Sequence, residues 1–361
     1  MKAARYHGPR DIRVEVVDDP PPPASHEVTL DVLWGGICGT DLHEYVSGPM
    51  TINKPEKPHG ITGDHLPVSF GHEFCGRVSA LPDGYNGPLK MGTPIMVDPR
   101  IICRECPACT SGLDNICPNW GYIGLNGGGG GGGGLYVDLN SVVLCQPLTV
   151  GRHALGTSGL TNFQGVNVLV LGGGPVGLAV VLNLRAKGCG VGGSGRVFIS
   201  EPTTKRRQMI KDLELSRDVL NPVEVNVAEV CREATGGVGV DVVFDSAGAE
   251  SAMLAGMESL KLRGTYVNIA GWREPFKIPM QFAMFREINI KFSLGNNDED
   301  YRDVVQDFVA GKFAGAHKLI TRRLPVADLA EHGLEELVRN KDDHVKIVAT
   351  WKDDLLSASR L

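Results

Sequence analysis

The sequence predicts an α/β protein in which a doubly wound parallel sheet is joined to a second, mostly β domain. Three observations predict it. A strand, a glycine turn, a helix, a second strand and an acid follow one another between Val166 and Glu201. Strand and helix patterns go on alternating to about residue 310. Residues 1–34 instead carry short, period-2 stretches.

The first observation is the most informative. Val166–Leu171 is an apolar run of strand length, rich in β-branched residues. Gly172-Gly173-Gly174-Pro175-Val176-Gly177 follows, and Leu178–Leu184 reads as a buried helix. The next strand, Arg196–Ser200, ends at Glu201. This is the order of a dinucleotide-binding βαβ unit. Gly172 allows the tight turn, Gly174 lets the backbone approach a diphosphate, and Gly177 lets helix and strand pack closely. Pro175 and Val176 open the helix, whose free N–H groups and dipole favour an anion. A membrane span is excluded, because glycines and a proline break the uncharged run of residues 166–184.

Glu201 can accept both ribose hydroxyls of NAD and would repel a 2′-phosphate. The glycine-rich loop from Gly188 to Gly195 accounts for its slightly late position. Arg206 and Arg207 could pair with a 2′-phosphate or form a solvated helix face; with Glu201 in place, NAD is expected. Further strands are expected at Val240–Asp245 and Gly264–Gly271, with a helix over Glu250–Leu262 between them. Ser246 and Gly271, at strand ends, should line the nicotinamide crevice. A helix at Asp300–Val309, a segment at Lys318–Thr321, a helix near Leu329–Val338 and a strand at Val345–Ala349 complete the chain.

The composition of the 361 residues, 42% apolar and 22% charged, is that of a globular protein. A net charge of −6 without a basic run argues against a nucleic-acid partner. The first residues carry no signal-peptide core, so a cytoplasmic location is expected and the nine cysteines read as metal ligands or free thiols.

In the N-terminal region, strands at Ile12–Val16 and Glu27–Val32 flank the stiff Pro20–Pro23 turn. The second leads to Cys38-Gly39-Thr40-Asp41-Leu42-His43, and about thirty residues later comes Gly71-His72-Glu73. Cys38, His72 and Glu73 make a candidate catalytic zinc site. The spacing Cys103-x2-Cys106-x2-Cys109-x7-Cys117 suits a closed, four-thiolate zinc site, hence a structural one.

These motifs together resemble the zinc-dependent medium-chain alcohol dehydrogenases, over nearly the whole chain. Cys38–Tyr45 and Phe70–Phe74 look like the polyol branch, most like the 2,3-butanediol dehydrogenases, with sorbitol dehydrogenase a neighbour. Ser200-Glu201-Pro202, Val243–Gly248 and Asn268–Trp272 support the likeness. The resemblance implies a GroES-like catalytic domain over residues 1–150, with a zinc lobe near 100–120. It implies a Rossmann domain over 151–316 and a return to the catalytic domain over 317–361. Two zinc ions per chain and NAD are implied as cofactors. The zinc would lower the pKa of a vicinal diol or secondary alcohol, which passes a hydride to nicotinamide. Thr40 would take the proton, His43 would hand it to solvent, and Asp41 would orient His72. Pairing through edge strands near Gly271–Phe292 would give a homodimer or homotetramer. Tyr45 and the loop Gly48–Pro67 are candidates for the substrate pocket.

The chain departs from that family twice. Gly127–Gly134 is an unbroken run of eight glycines, followed by an expected strand at Leu135–Val137. The segment after Leu144 is shortened, and Gln146 stands where the family carries a carboxylate. An amide oxygen is a poorer zinc ligand, and Cys145 could offer a thiolate instead. Two other readings therefore stay open: a sorbitol- or threonine-dehydrogenase-like enzyme, and an NAD-binding zinc protein with impaired catalysis.

Overall fold

The strand Val168–Leu171 is completely buried and stands at the centre of a six-stranded parallel sheet. This is a computed structural model, and it describes residues 1–127, 142–190, 195–272 and 275–358. The sheet runs in the order Asp218–Leu220, Val197–Ser200, Val168–Leu171, Val240–Asp245, Leu260–Asn268 and Asn289–Phe292. A strand buried on both faces must be apolar throughout, which is why its sequence shows no alternation. Val168 lies opposite Val197 on one side and Val242 on the other. The chain therefore leaves Val168–Leu171 in one direction, then crosses back to its other neighbour. That reversal opens a crevice at the carboxyl ends of these strands.

Two compact units make up the chain. One is Pro147–Asp307, which holds this sheet; the other joins Met1–Gln146 to Phe308–Leu361. The sequence placed the corresponding divisions at 150 and 316. In the parallel-sheet unit the helix after Val240–Asp245 stops at Ser259, earlier than the expected Leu262. Leu260 instead begins the strand Leu260–Asn268, because its buried side chain pairs with Val240.

The second unit contains a five-stranded sheet in the order Ile320–Pro325, Lys346–Thr350, Thr29–Gly36, Glu73–Ala80 and Pro94–Met96. The strand Lys2–Gly8, not singled out in the sequence, centres a three-stranded sheet with Asp11–Val16 and Val68–Ser69. Val348 and Ala349, from the C-terminal end of the chain, pair with Gly36 and Gly35. The return strand thus completes the sheet that carries the candidate metal residues. The expected helix near Leu329 is a π-helix over Leu329–Glu335 that passes into Glu336–Asn340. Among the described residues no helix is long and apolar enough to cross a membrane.

Of the eight-glycine run only Gly127 is described; the rest of the run and the expected strand Leu135–Val137 lie outside the described residues. After them, a 3-10 turn over Val142–Leu144 runs directly into the helix Cys145–Ser158.

Candidate active site

Register places the site. Gly36 lies opposite Glu73 in the antiparallel pair of Thr29–Gly36 with Glu73–Ala80. The end of one strand and the start of the other are therefore neighbours, and Cys38 falls beside His72 and Glu73. A Cβ at position 36 would stand 2.5 Å from a Glu73 carboxylate oxygen and 3.1 Å from Val143, so only glycine leaves room there.

One ligand atom from each of Cys38, His72 and Glu73 falls within 4.8 Å of the other two. His72 and Glu73 are buried, and Cys38 is half-buried. Asp41 organises the group from the first turn of the helix Gly39–Ser47. Its Oδ2 accepts the Cys38 backbone N–H at 2.9 Å, and its Oδ1 lies 3.0 Å from His72 Nδ1. That leaves His72 Nε2 for Cys38, with which the ring also shares a hydrogen bond. Burial pushes the imidazole down, but the Asp41 and Cys38 charges prevail and hold it well above its ordinary value. The Cys38 thiol also donates to Thr40 Oγ1 at 3.9 Å. His43 is half-buried on the same helix.

Glu73 shows what the group fits. Its Oε2 accepts a hydrogen bond from Lys346, a fully buried cation that also donates to Ile37 O at 3.1 Å. Its Oε1 is buried with no hydrogen-bond partner. A buried carboxylate oxygen of this kind is costly unless a cation or donor completes it. A thiol, an imidazole and such a carboxylate are a suitable donor set for zinc with an open position. Lys346 was missed by sequence reading, since nothing local marks it; only the pairing of the C-terminal strand brings it here.

Gln146 is buried in the first turn of the helix Cys145–Ser158. Cys145 does not join the Cys38–His72–Glu73 group. It is buried, and burial first, then the neighbouring Cys75, pushes its thiol well above the ordinary value. Tyr45 is buried and its hydroxyl donates to Glu335 at 2.9 Å, with burial raising it to about 12.

The four cysteines of the second cluster also meet, with one sulfur of each within 4.8 Å of the others. The backbone N–H groups of Glu105 and Cys106 hold the Cys103 thiol down to about 6, which favours a thiolate and hence metal binding.

At the glycine turn, Gly172 has φ +96° and Gly177 packs so close that a Cβ would stand 2.0 Å from Gly172 O. Gly174 caps the helix Pro175–Ala186, and Gly174, Pro175 and Val176 remain partly exposed. Glu201 is buried, with Oε2 accepting Gly173 N–H at 2.7 Å and Oε1 accepting Thr203 N–H at 2.8 Å. Arg206 reaches over the turn, 3.8 Å from where a Gly174 Cβ would lie. Arg207 turns instead to the Glu201 and Pro202 carbonyls. The Ser246 hydroxyl donates to Leu171 O at 2.8 Å, so it closes the base of the turn. Gly271 is exposed, with its carbonyl near Gly248.

Comparison with known proteins places these features. Residues 24–146 match the alcohol dehydrogenase GroES-like domain, and residues 175–310 match the zinc-binding dehydrogenase domain. The chain is 31% identical to an (R,R)-butanediol dehydrogenase of Neisseria gonorrhoeae, over 96% of this chain and 99% of that protein. The crystal structure of 2R,3R-butanediol dehydrogenase from Bacillus subtilis superposes with a TM-score of 0.85 at 29% identity, covering 97% of this chain and 99% of the other. A zinc-binding dehydrogenase from Sinorhizobium meliloti bound to NADP gives 0.80 at 26% identity, covering 97% and 98%.

Proposed function

The chain belongs to the zinc-dependent medium-chain alcohol dehydrogenase family, in its butanediol and polyol branch, and we propose that it oxidises a vicinal diol with NAD, most directly 2,3-butanediol to acetoin. It is an oxidoreductase of the alcohol dehydrogenase type. The observation that carries the metal-dependent chemistry is Glu73 Oε1, a buried acceptor without a partner, beside Cys38 and His72.

When bound, zinc at this group supplies a Lewis acid and the nicotinamide a hydride acceptor. Cys38, His72 and Glu73 would hold the metal, a sufficient set even though Gln146 brings no charge. Asp41 fixes the His72 tautomer. Thr40, within reach of the Cys38 sulfur, takes the substrate proton, and His43 returns it to solvent. Cys103, Cys106, Cys109 and Cys117 would hold a second, structural zinc. A cytoplasmic location would keep these thiols free for metal.

Gly172, Gly174, Pro175, Val176 and Gly177 would receive the diphosphate, and Arg206, which reaches over the turn, would offer it a positive charge. Glu201 keeps lone pairs free beyond its two backbone partners, and these take the ribose hydroxyls. That supports NAD although a solved relative is bound to NADP. Gly271 and Ser246 border the nicotinamide crevice, Ser246 by shaping the turn. Exposed Phe285 and Phe292, by the edge strand Asn289–Phe292, support pairing of two or four copies.

The test is zinc content per chain on protein purified without chelator, with NAD-dependent oxidation of 2,3-butanediol alongside. Two zinc ions and turnover are expected. One zinc, with NADH bound and no turnover, would overturn the reading and favour an impaired NAD-binding protein.

A further inference from the structure

Tyr122 stands beside the metal-ligand group, with its ring against His72. It ends the short strand Gly121–Tyr122, where it pairs with Arg100. Its backbone N–H donates to Asn126 Oδ1 at 3.0 Å, and the Asn126 amide donates to Thr51 O and Asn53 Oδ1, both at 2.8 Å. The position is thereby tied to the loop Gly48–Pro67. The ring is held on two sides. It stacks on His72, with centroids 5.0 Å apart and planes 24° from parallel. The edge contact with Trp120 has centroids 5.4 Å apart at 72°.

None of these contacts uses the phenol oxygen. Among the described residues the half-buried Tyr122 hydroxyl has no hydrogen-bond partner. A phenylalanine would stack on His72 equally well, so the oxygen is surplus to the packing. The stacked ring keeps Tyr122 next to His72, one of the three ligand residues.

We infer that the Tyr122 hydroxyl is a specificity determinant, donating to the second oxygen of a vicinal diol or hydroxyketone whose first oxygen lies at the Cys38–His72–Glu73 group. A substrate with one oxygen leaves this donor unmet. A substrate with two adjacent oxygens satisfies it. The inference rests on the dehydrogenase reading above and adds a reason for a diol over a simple secondary alcohol.

The experiment compares wild type with Tyr122→Phe on 2,3-butanediol and on 2-butanol, reading the ratio of the two kcat/KM values. Because both substrates use the same site, the ratio is insensitive to the fraction of folded protein. One neutral hydrogen bond predicts that the variant loses roughly 3- to 10-fold of the diol preference. A second readout needs no turnover: the rise in Tm given by 2,3-butanediol over that given by 2-butanol, with NADH present, should shrink in the variant. An unchanged ratio, or equal losses on both alcohols, would overturn the inference while leaving the dehydrogenase reading intact. Wild-type protein that turns over neither alcohol would overturn both.

Discussion

Asp41→Asn is the sharpest probe of how the metal group is organised. The carboxylate is buried and does two jobs, accepting the Cys38 N–H at 2.9 Å and facing His72 Nδ1 at 3.0 Å. An asparagine has one oxygen and one NH2, so it cannot accept at both places. If its oxygen stays on Cys38, its NH2 faces Nδ1 and drives the ring proton to Nε2, the nitrogen that must be bare to bind metal. If it flips, the Cys38 N–H loses its acceptor and the thiol moves. Loss of such a supporting contact costs about 10- to 100-fold in metal affinity, or roughly 1.4–2.8 kcal/mol. Competition with a chromophoric chelator measures this directly, and the four-cysteine cluster serves as an internal reference. Zinc at the Cys38–His72–Glu73 group should become easier to remove than zinc at the four cysteines. Wild-type affinity at both sites would refute the reasoning, and so would equal weakening of both, which would point to general loosening of the unit.

Two further outcomes test the nucleotide domain. Gly177→Ala would set a Cβ 2.0 Å from Gly172 O and 2.7 Å from Ser246 Oγ. The helix must then move off the turn, and NADH binding followed by fluorescence should be lost, with a stability cost of about 1–3 kcal/mol in denaturant unfolding. Tyr266→Phe removes a 2.5 Å hydrogen bond to Asp245, a buried carboxyl held above its usual range by burial and partly relieved by Tyr266, Ala247 and Gly248. A carboxyl raised on folding contributes stability below its unfolded value of 3.8 that is lost as pH rises through its folded value. Removing the phenol raises Asp245 further. The variant should therefore be destabilised by roughly 1.5–3 kcal/mol at neutral pH and by less near pH 4; a penalty independent of pH would contradict this.

What was legible in the sequence is what is local. The glycine turn declares itself because its strand, turn and helix are consecutive, and the four cysteines because their spacing closes on itself. Cys38, His72 and Glu73 could be proposed from separate loops, but their meeting depends on the register of Gly36 with Glu73. Lys346 and Tyr122 were beyond reach for the same reason: a lysine in an apolar strand and a tyrosine in a loop carry no signal until pairing places them. Tyr45, two residues beyond His43, invited a pocket role, yet its hydroxyl belongs to Glu335. Leu260 shows the ambiguity of short apolar runs, where helix end and strand start look alike.

The union of Lys346 with Glu73 also has a meaning in time. The two residues are 273 positions apart. At ribosomal rates of about 5–20 residues per second, the carboxylate waits on the order of 15–55 s for its counter-charge. The segment Pro147–Asp307 is continuous and is complete before Lys346 is made. The other unit is assembled from both ends of the chain, so a polypeptide released early would carry a finished Pro147–Asp307 unit, a half-built sheet and an uncompensated Glu73. Full-length synthesis is thereby a condition for a finished metal pocket, and truncated products should be marked by exposed, unpaired strands that quality control can recognise.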